Sequence, residues 1–112
     1  MVEVHKNKST VKEILNEIPN KLKEKFGDKV KEIILFGSYV RGDYQEHSDI
    51  DILVIVEDDR IEKDVRRVVY SFIPRVGRLI SVKVIKSDVY GAMKKMKLSF
   101  IQSVEREGIT IG

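Results

Sequence analysis

Two carboxylates, Asp49 and Asp51, open the apolar run "DIDILVIV" at residues 49–56. Side chains two apart on a strand share a face, so this pair points one way while Ile50 and Ile52 point the other and anchor the strand. Adjacent carboxylates repel, and burying them without a partner is expensive. A divalent cation removes that penalty. Oxygen ligands at this spacing suit Mg²⁺, which takes one or two carboxylates and completes its shell with water and substrate phosphate. Two such ions would serve phosphoryl transfer.

Upstream, Gly37-Ser38 ends another apolar run, "VKEIILF", and ten residues separate Ser38 from Asp49. Glycine lets backbone approach a ligand closely. The N–H groups of a starting helical turn favour anions, and serine adds a hydroxyl. Arg41 follows about one helical turn later and is placed to meet the same phosphates. Taken singly, each piece has an ordinary reading: a turn, a solvated strand rim, a surface cation. His47 reads as a loop residue rather than a ligand or base. The order of the pieces is what points to chemistry.

The elements that must hold this site follow from periodicity. Ser9-Thr10 can cap a helix with Val11, Ile14, Leu15, Ile18, Leu22 and Phe26 at helical spacing, interrupted at Pro19 and ended at Gly27-Asp28. Pro19 is expected to kink or divide it. Residues 30–36 predict a buried strand and 38–44 a short helical turn. Residues 49–56 are nearly continuous in apolar side chains, as in a strand covered on both faces. Residues 60–73 read as a helix closed by Pro74, and 78–85 as a strand with one apolar and one mixed face. Helices from Ser87-Asp88 to about Met96 and over Ser99–Glu107 follow, the second stopped by Gly108. "ITI" reads as a short edge strand. The fold class is α/β, a small mixed sheet with helices packed against it, in a single domain over residues 1–112.

Composition bounds the function. The chain has 112 residues, 42% hydrophobic and 35% charged, with no cysteine. Disulfides and thiolate metal sites are excluded, and a cytoplasmic location is expected. No apolar run reaches bilayer length, and the N-terminus is read as carrying no signal peptide, so no membrane partner is expected. Net charge is +3. Its lysines and glutamates interleave as in "KLKEKFGDKVKE", which reads as a solvated helix face and argues against nucleic acid as a direct ligand. Self-association is left open.

The stretch "FGSYVRGDYQEHSDIDILVIV" closely resembles the signature of the minimal nucleotidyltransferases, relatives of the DNA polymerase beta and kanamycin nucleotidyltransferase superfamily. The likeness covers Phe36, Gly37, Ser38, Arg41, Gly42, Ser48, Asp49 and Asp51. It implies a nucleotidyltransferase fold. Gly37, Ser38, Arg41 and Ser48 would bind the nucleotide triphosphate, ATP being the expected substrate. Asp49 and Asp51 would be the catalytic pair and hold Mg²⁺. A hydroxyl of the acceptor would attack the α-phosphorus and pyrophosphate would leave. Many small members of this group resemble the antitoxin half of a two-gene module whose partner is a helical HEPN-domain protein, and some transfer AMP onto a partner tyrosine.

The chain departs from that pattern at one point. Active members carry a third carboxylate on a neighbouring strand, where this chain has Ser81 or Lys83, and Lys83 is the preferred match. A lysine there would pair with the aspartates or compete with metal. Glu46, Glu57 and Asp88 are conceivable substitutes. Two readings therefore stand. One is a Mg²⁺-dependent transferase acting on a protein hydroxyl. The other is a catalytically weak or inactive module that binds nucleotide or neutralises a HEPN-type partner by contact. On the last helix, Phe100, Ile101 and Val104 are expected to pack on the sheet.

Overall fold

The computed structural model describes residues 10–41 and 49–112. Helix α1 covers Val11–Phe26. Thr10 caps it: its hydroxyl accepts from the Glu13 N–H at 3.1 Å, and the Glu13 carboxylate accepts from the Thr10 N–H at 2.8 Å. Such a reciprocal pair satisfies two helix-end donors and is worth about 1 kcal/mol. The helix runs on through Pro19 as one element, so the expected division does not occur. Ile14, Ile18 and Leu22 are fully buried on the same face as Pro19, and this packing holds the helix across the missing hydrogen bond. Gly27, at φ +56°, ends it.

Strand β1 (Val30–Phe36) leads into the four-residue helix α2 (Ser38–Arg41), and β2 spans Ile50–Val56. A 3₁₀ turn, Asp59–Ile61, precedes α3 (Glu62–Tyr70), and α4 (Ile73–Val76) follows. Pro74 lies in the first turn of α4 rather than closing the preceding helix. This corrects the expectation and has a simple reason. A first-turn N–H has no helical acceptor, so proline loses nothing there. Strand β3 (Ile80–Lys86), α5 (Ser87–Lys95), α6 (Ser99–Glu107) and the two-residue β4 (Ile109–Thr110) complete the order.

The sheet order is β3-β2-β1-β4. β1 pairs antiparallel with β2 and β4, while β2 and β3 are parallel. Parallel neighbours need a crossover, which α3 and α4 supply. Alternation along β2 divides the core. Ile50, Ile52, Val54 and Val56 join the cluster built with α1 and α3, whereas Leu53 and Ile55 join Ile34, Tyr90, Ile101 and Val104 beneath α5 and α6. The expected coverage of β2 on both faces is thus observed. Asp51 belongs to the α6 face.

Candidate functional site

Antiparallel pairing brings the end of β1 to the start of β2. In this register Phe36 is the partner of Asp51. The chain therefore turns at Gly37 directly against the Asp51 carboxylate. Gly37 has φ +88°, and an added Cβ would collide with an Asp51 carboxylate oxygen and lie 3.0 Å from Cγ. Both backbone sign and space demand glycine here. The Gly37 carbonyl accepts from the Val40 N–H at 3.1 Å, which starts α2. The sequence-predicted pair Gly37 and Asp51 is thus brought together.

Asp49 lies just before β2 and is exposed, while Asp51 is half-buried. Ile50 and Ile52, both fully buried, hold the intervening backbone. The aspartates are therefore anchored from behind by apolar packing. The side chains of Ser38 and Arg41, and residues Gly42, Glu46, His47 and Ser48, lie outside the described part of the chain.

The parallel pairing of β2 and β3 settles which residue stands beside Asp51. The partner is Ser81, and Lys83 is the partner of Leu53. Lys83, the preferred match, is therefore not the residue level with Asp51. Two residues along a strand carry a side chain about 6.6 Å further on, and Lys83 Nζ lies over the Phe100 ring, 5.5 Å from its centroid. The suggested substitutes Glu57 and Asp88 are at the opposite end of the sheet. Glu57 follows β2 and accepts a 2.7 Å hydrogen bond from Ser87 Oγ, while Asp88 lies 3.9 Å from Lys86 Nζ. Among the described residues, no three His, Cys, Asp or Glu side chains form a metal-binding group.

A cleft of about 480 Å³ opens beside Asp51, lined by Phe36, Gly37, Asp51, Ser99, Phe100, Ser103 and Glu107. Sequence reasoning did not single out Ser99, Ser103 and Glu107. Their spacing of four residues on α6 was the available signal, since it places them on one helix face. Ile101 and Val104, on another face, are buried as expected, and Phe100 meets Phe36 edge to face with centroids 5.4 Å apart. No helix among the described residues is long and apolar enough to cross a membrane.

Comparison with known proteins agrees with this geometry. The profile of the Nucleotidyltransferase domain matches residues 15–111. A protein of Methanocaldococcus jannaschii, named provisionally as a protein adenylyltransferase, is 33% identical over 102 residues, covering 88% of this chain and 96% of the relative. A second protein of that organism with the same provisional name is 38% identical over 96 residues, covering 84% and 90%. A crystal structure of a toxin–antitoxin with AMP-PNP shares the fold, with a TM-score of 0.56 at 22% identity, over 87% of this chain and 72% of that one. With a family profile over residues 15–111 and relatives that match over most of both chains, the chain belongs to the nucleotidyltransferase domain family.

Proposed function

We propose that this chain transfers AMP from ATP, with Mg²⁺, onto a hydroxyl of a partner protein, and so acts in the cytoplasm as the antitoxin of a HEPN-type toxin. The observation that carries this reading is the contact of Gly37 with Asp51. A turn without a side chain lies against a carboxylate at the mouth of a cleft. The names of the adenylyltransferase relatives and of the toxin–antitoxin fold neighbour support the choice of AMP and of a toxin partner.

Mg²⁺ fits the donor set. Asp49 and Asp51 offer hard oxygens at the start of β2, and the missing Cβ of Gly37 lets the Asp51 carboxylate lie against the turn. When bound there, the ion would neutralise charge on the transferring phosphate. The chain's own part is positioning. Gly37 lets backbone come close to the triphosphate, with Ser38, Arg41 and Ser48 assigned to the same phosphates. Ile50 and Ile52 fix the aspartates, and the cleft walls exclude water from one side of the reaction.

A second reading is favoured by a specific observation. Ser81 rather than a carboxylate stands beside Asp51, and the next residue on that face of β3 is Lys83. The chain would then bind nucleotide weakly and neutralise its partner by contact. One experiment separates the two. Calorimetry of Mg²⁺ and ATP with the protein and with its Asp49→Asn/Asp51→Asn variant tests the pocket, and α-phosphate-labelled ATP with the partner tests transfer. Metal-dependent binding and labelling, both lost in the variant, are expected. Neutralisation without labelling, intact in the variant, would favour the contact module.

A further inference from the structure

Helix α6 turns Ser99, Ser103 and Glu107 toward the cleft that contains Gly37 and Asp51. The helix is fixed at both levels. Ile101 and Val104 are buried behind this stripe. Just after Glu107, Gly108 donates to the Val104 carbonyl at 2.7 Å and lies so close to β1 that an added Cβ would be 2.7 Å from Ile34 Cγ2. Glu107 is thus held at the sheet rather than on a loose helix end. Its side chain is 29% exposed, enough to meet an incoming group, and its carboxylate lies 3.7 Å from Arg106.

The acceptor hydroxyl must lose a proton, and the β3 residue beside Asp51 is Ser81, which is no base. Glu57 and Asp88 lie at the far end of the sheet. Among the described residues lining the cleft, Glu107 is the acidic group besides Asp51. The geometry points to Glu107 as the general base for the acceptor hydroxyl, an inference that rests on the transferase reading. Its carboxylate takes the hydroxyl proton. The acceptor oxygen bonds to the α-phosphorus, the bond from that phosphorus to the oxygen bridging the β-phosphate breaks, and pyrophosphate leaves with the electron pair. No further reactant is needed.

The test uses the full chain, Mg²⁺, α-phosphate-labelled ATP and the partner protein, with calorimetric ATP binding measured beside the rate. Glu107→Gln is expected to lower kcat about 10²–10⁴-fold while KM and affinity for ATP hold. Glu107→Asp keeps a carboxylate and is expected to retain transfer. Ser81→Asp, added to Glu107→Gln, is expected to restore about ten-fold or more of the lost rate, since it returns a base to the strand beside Asp51. At saturating Mg²⁺, where tighter metal binding adds nothing, a structural role for Glu107 would not give that rescue. Transfer by Glu107→Gln at the parental rate, or an equal loss of ATP binding, would overturn the inference and leave the transferase reading standing. A parental chain that binds ATP but labels nothing would overturn both.

Discussion

Ser81 stands beside Asp51 as its register partner on the parallel strand, with Lys83 two residues further along beside Leu53. A neutral hydroxyl therefore neighbours the half-buried aspartate. The site is left with less negative charge than a three-carboxylate arrangement would have, which lowers its demand for a cation.

Ser81→Asp should reverse that. Without metal, the added charge beside Asp51 is expected to cost about 0.2–1 kcal/mol of stability, as for like charges on neighbouring strands. With metal, Mg²⁺ affinity should rise about ten-fold, equivalent to about 1.4 kcal/mol. Thermal melts across a Mg²⁺ series read both effects, and the stability difference should change sign as Mg²⁺ rises. A variant indifferent to Mg²⁺ would place the metal elsewhere.

Gly37 and Gly77 offer a matched pair. Both have positive φ, +88° and +75°, but a Cβ at Gly77 meets nothing within 4 Å. Gly77→Ala should cost only the left-handed backbone penalty, about 1–2 kcal/mol. Gly37→Ala should cost that plus about 1–3 kcal/mol for the collision with Asp51. It should also weaken ATP binding, which Gly77→Ala should not. Urea denaturation and calorimetry on the two variants make the comparison.

Much of this arrangement was legible in the residues. The range Val30–Phe36 and the stop at Gly108 followed from β-branched density and from a helix breaker. The placement of Asp51 on one face and Ile52 on the other followed from strand alternation. Sequence did not show which β3 residue neighbours Asp51, because Ser81 and Lys83 share a face and only the pairing register separates them. Glu107 was equally hidden. It is distant in sequence from Asp51, and only the packing of α6 across the sheet brings both to one cleft. The short helix α4 was missed because Pro74 reads as a terminator until its position in a first turn is known.

Asp58 predicts an acid-sensitive step in stability. Its carboxylate accepts from the Arg60 side chain and, at 2.9 Å, from the Arg60 N–H, and these bonds hold its pKa down to about 2. An unfolded aspartate titrates near 3.9. The folded value is the lower one, so the contribution is present above about pH 4 and is lost as pH falls toward 2. Melting temperatures of the parent and Asp58→Asn should therefore differ at pH 6 and converge by about pH 2. A constant gap across that range would show that the variant acts by something other than this carboxylate.

Arg66 guards the outer edge of the sheet. From α3 it donates to the Val82 carbonyl of β3 at 2.6 Å and holds Glu62 through two further bonds of 2.9 and 3.2 Å. Among the described residues β3 ends the strand order, so its outward carbonyls and N–H groups are open there to another chain. A guanidinium on one of those carbonyls, with Lys83 and Lys86 on the same strand, opposes such pairing. Arg66→Ala should lose about 1 kcal/mol with the hydrogen bond. It should also raise self-association relative to the parent, seen as a concentration-dependent sedimentation coefficient. Arg66→Lys keeps the charge but not the planar fork, so it should lose stability while resisting association. If Arg66→Ala lowered the urea midpoint but sedimented as the parent does, the lysines rather than Arg66 would be what keeps the edge unpaired.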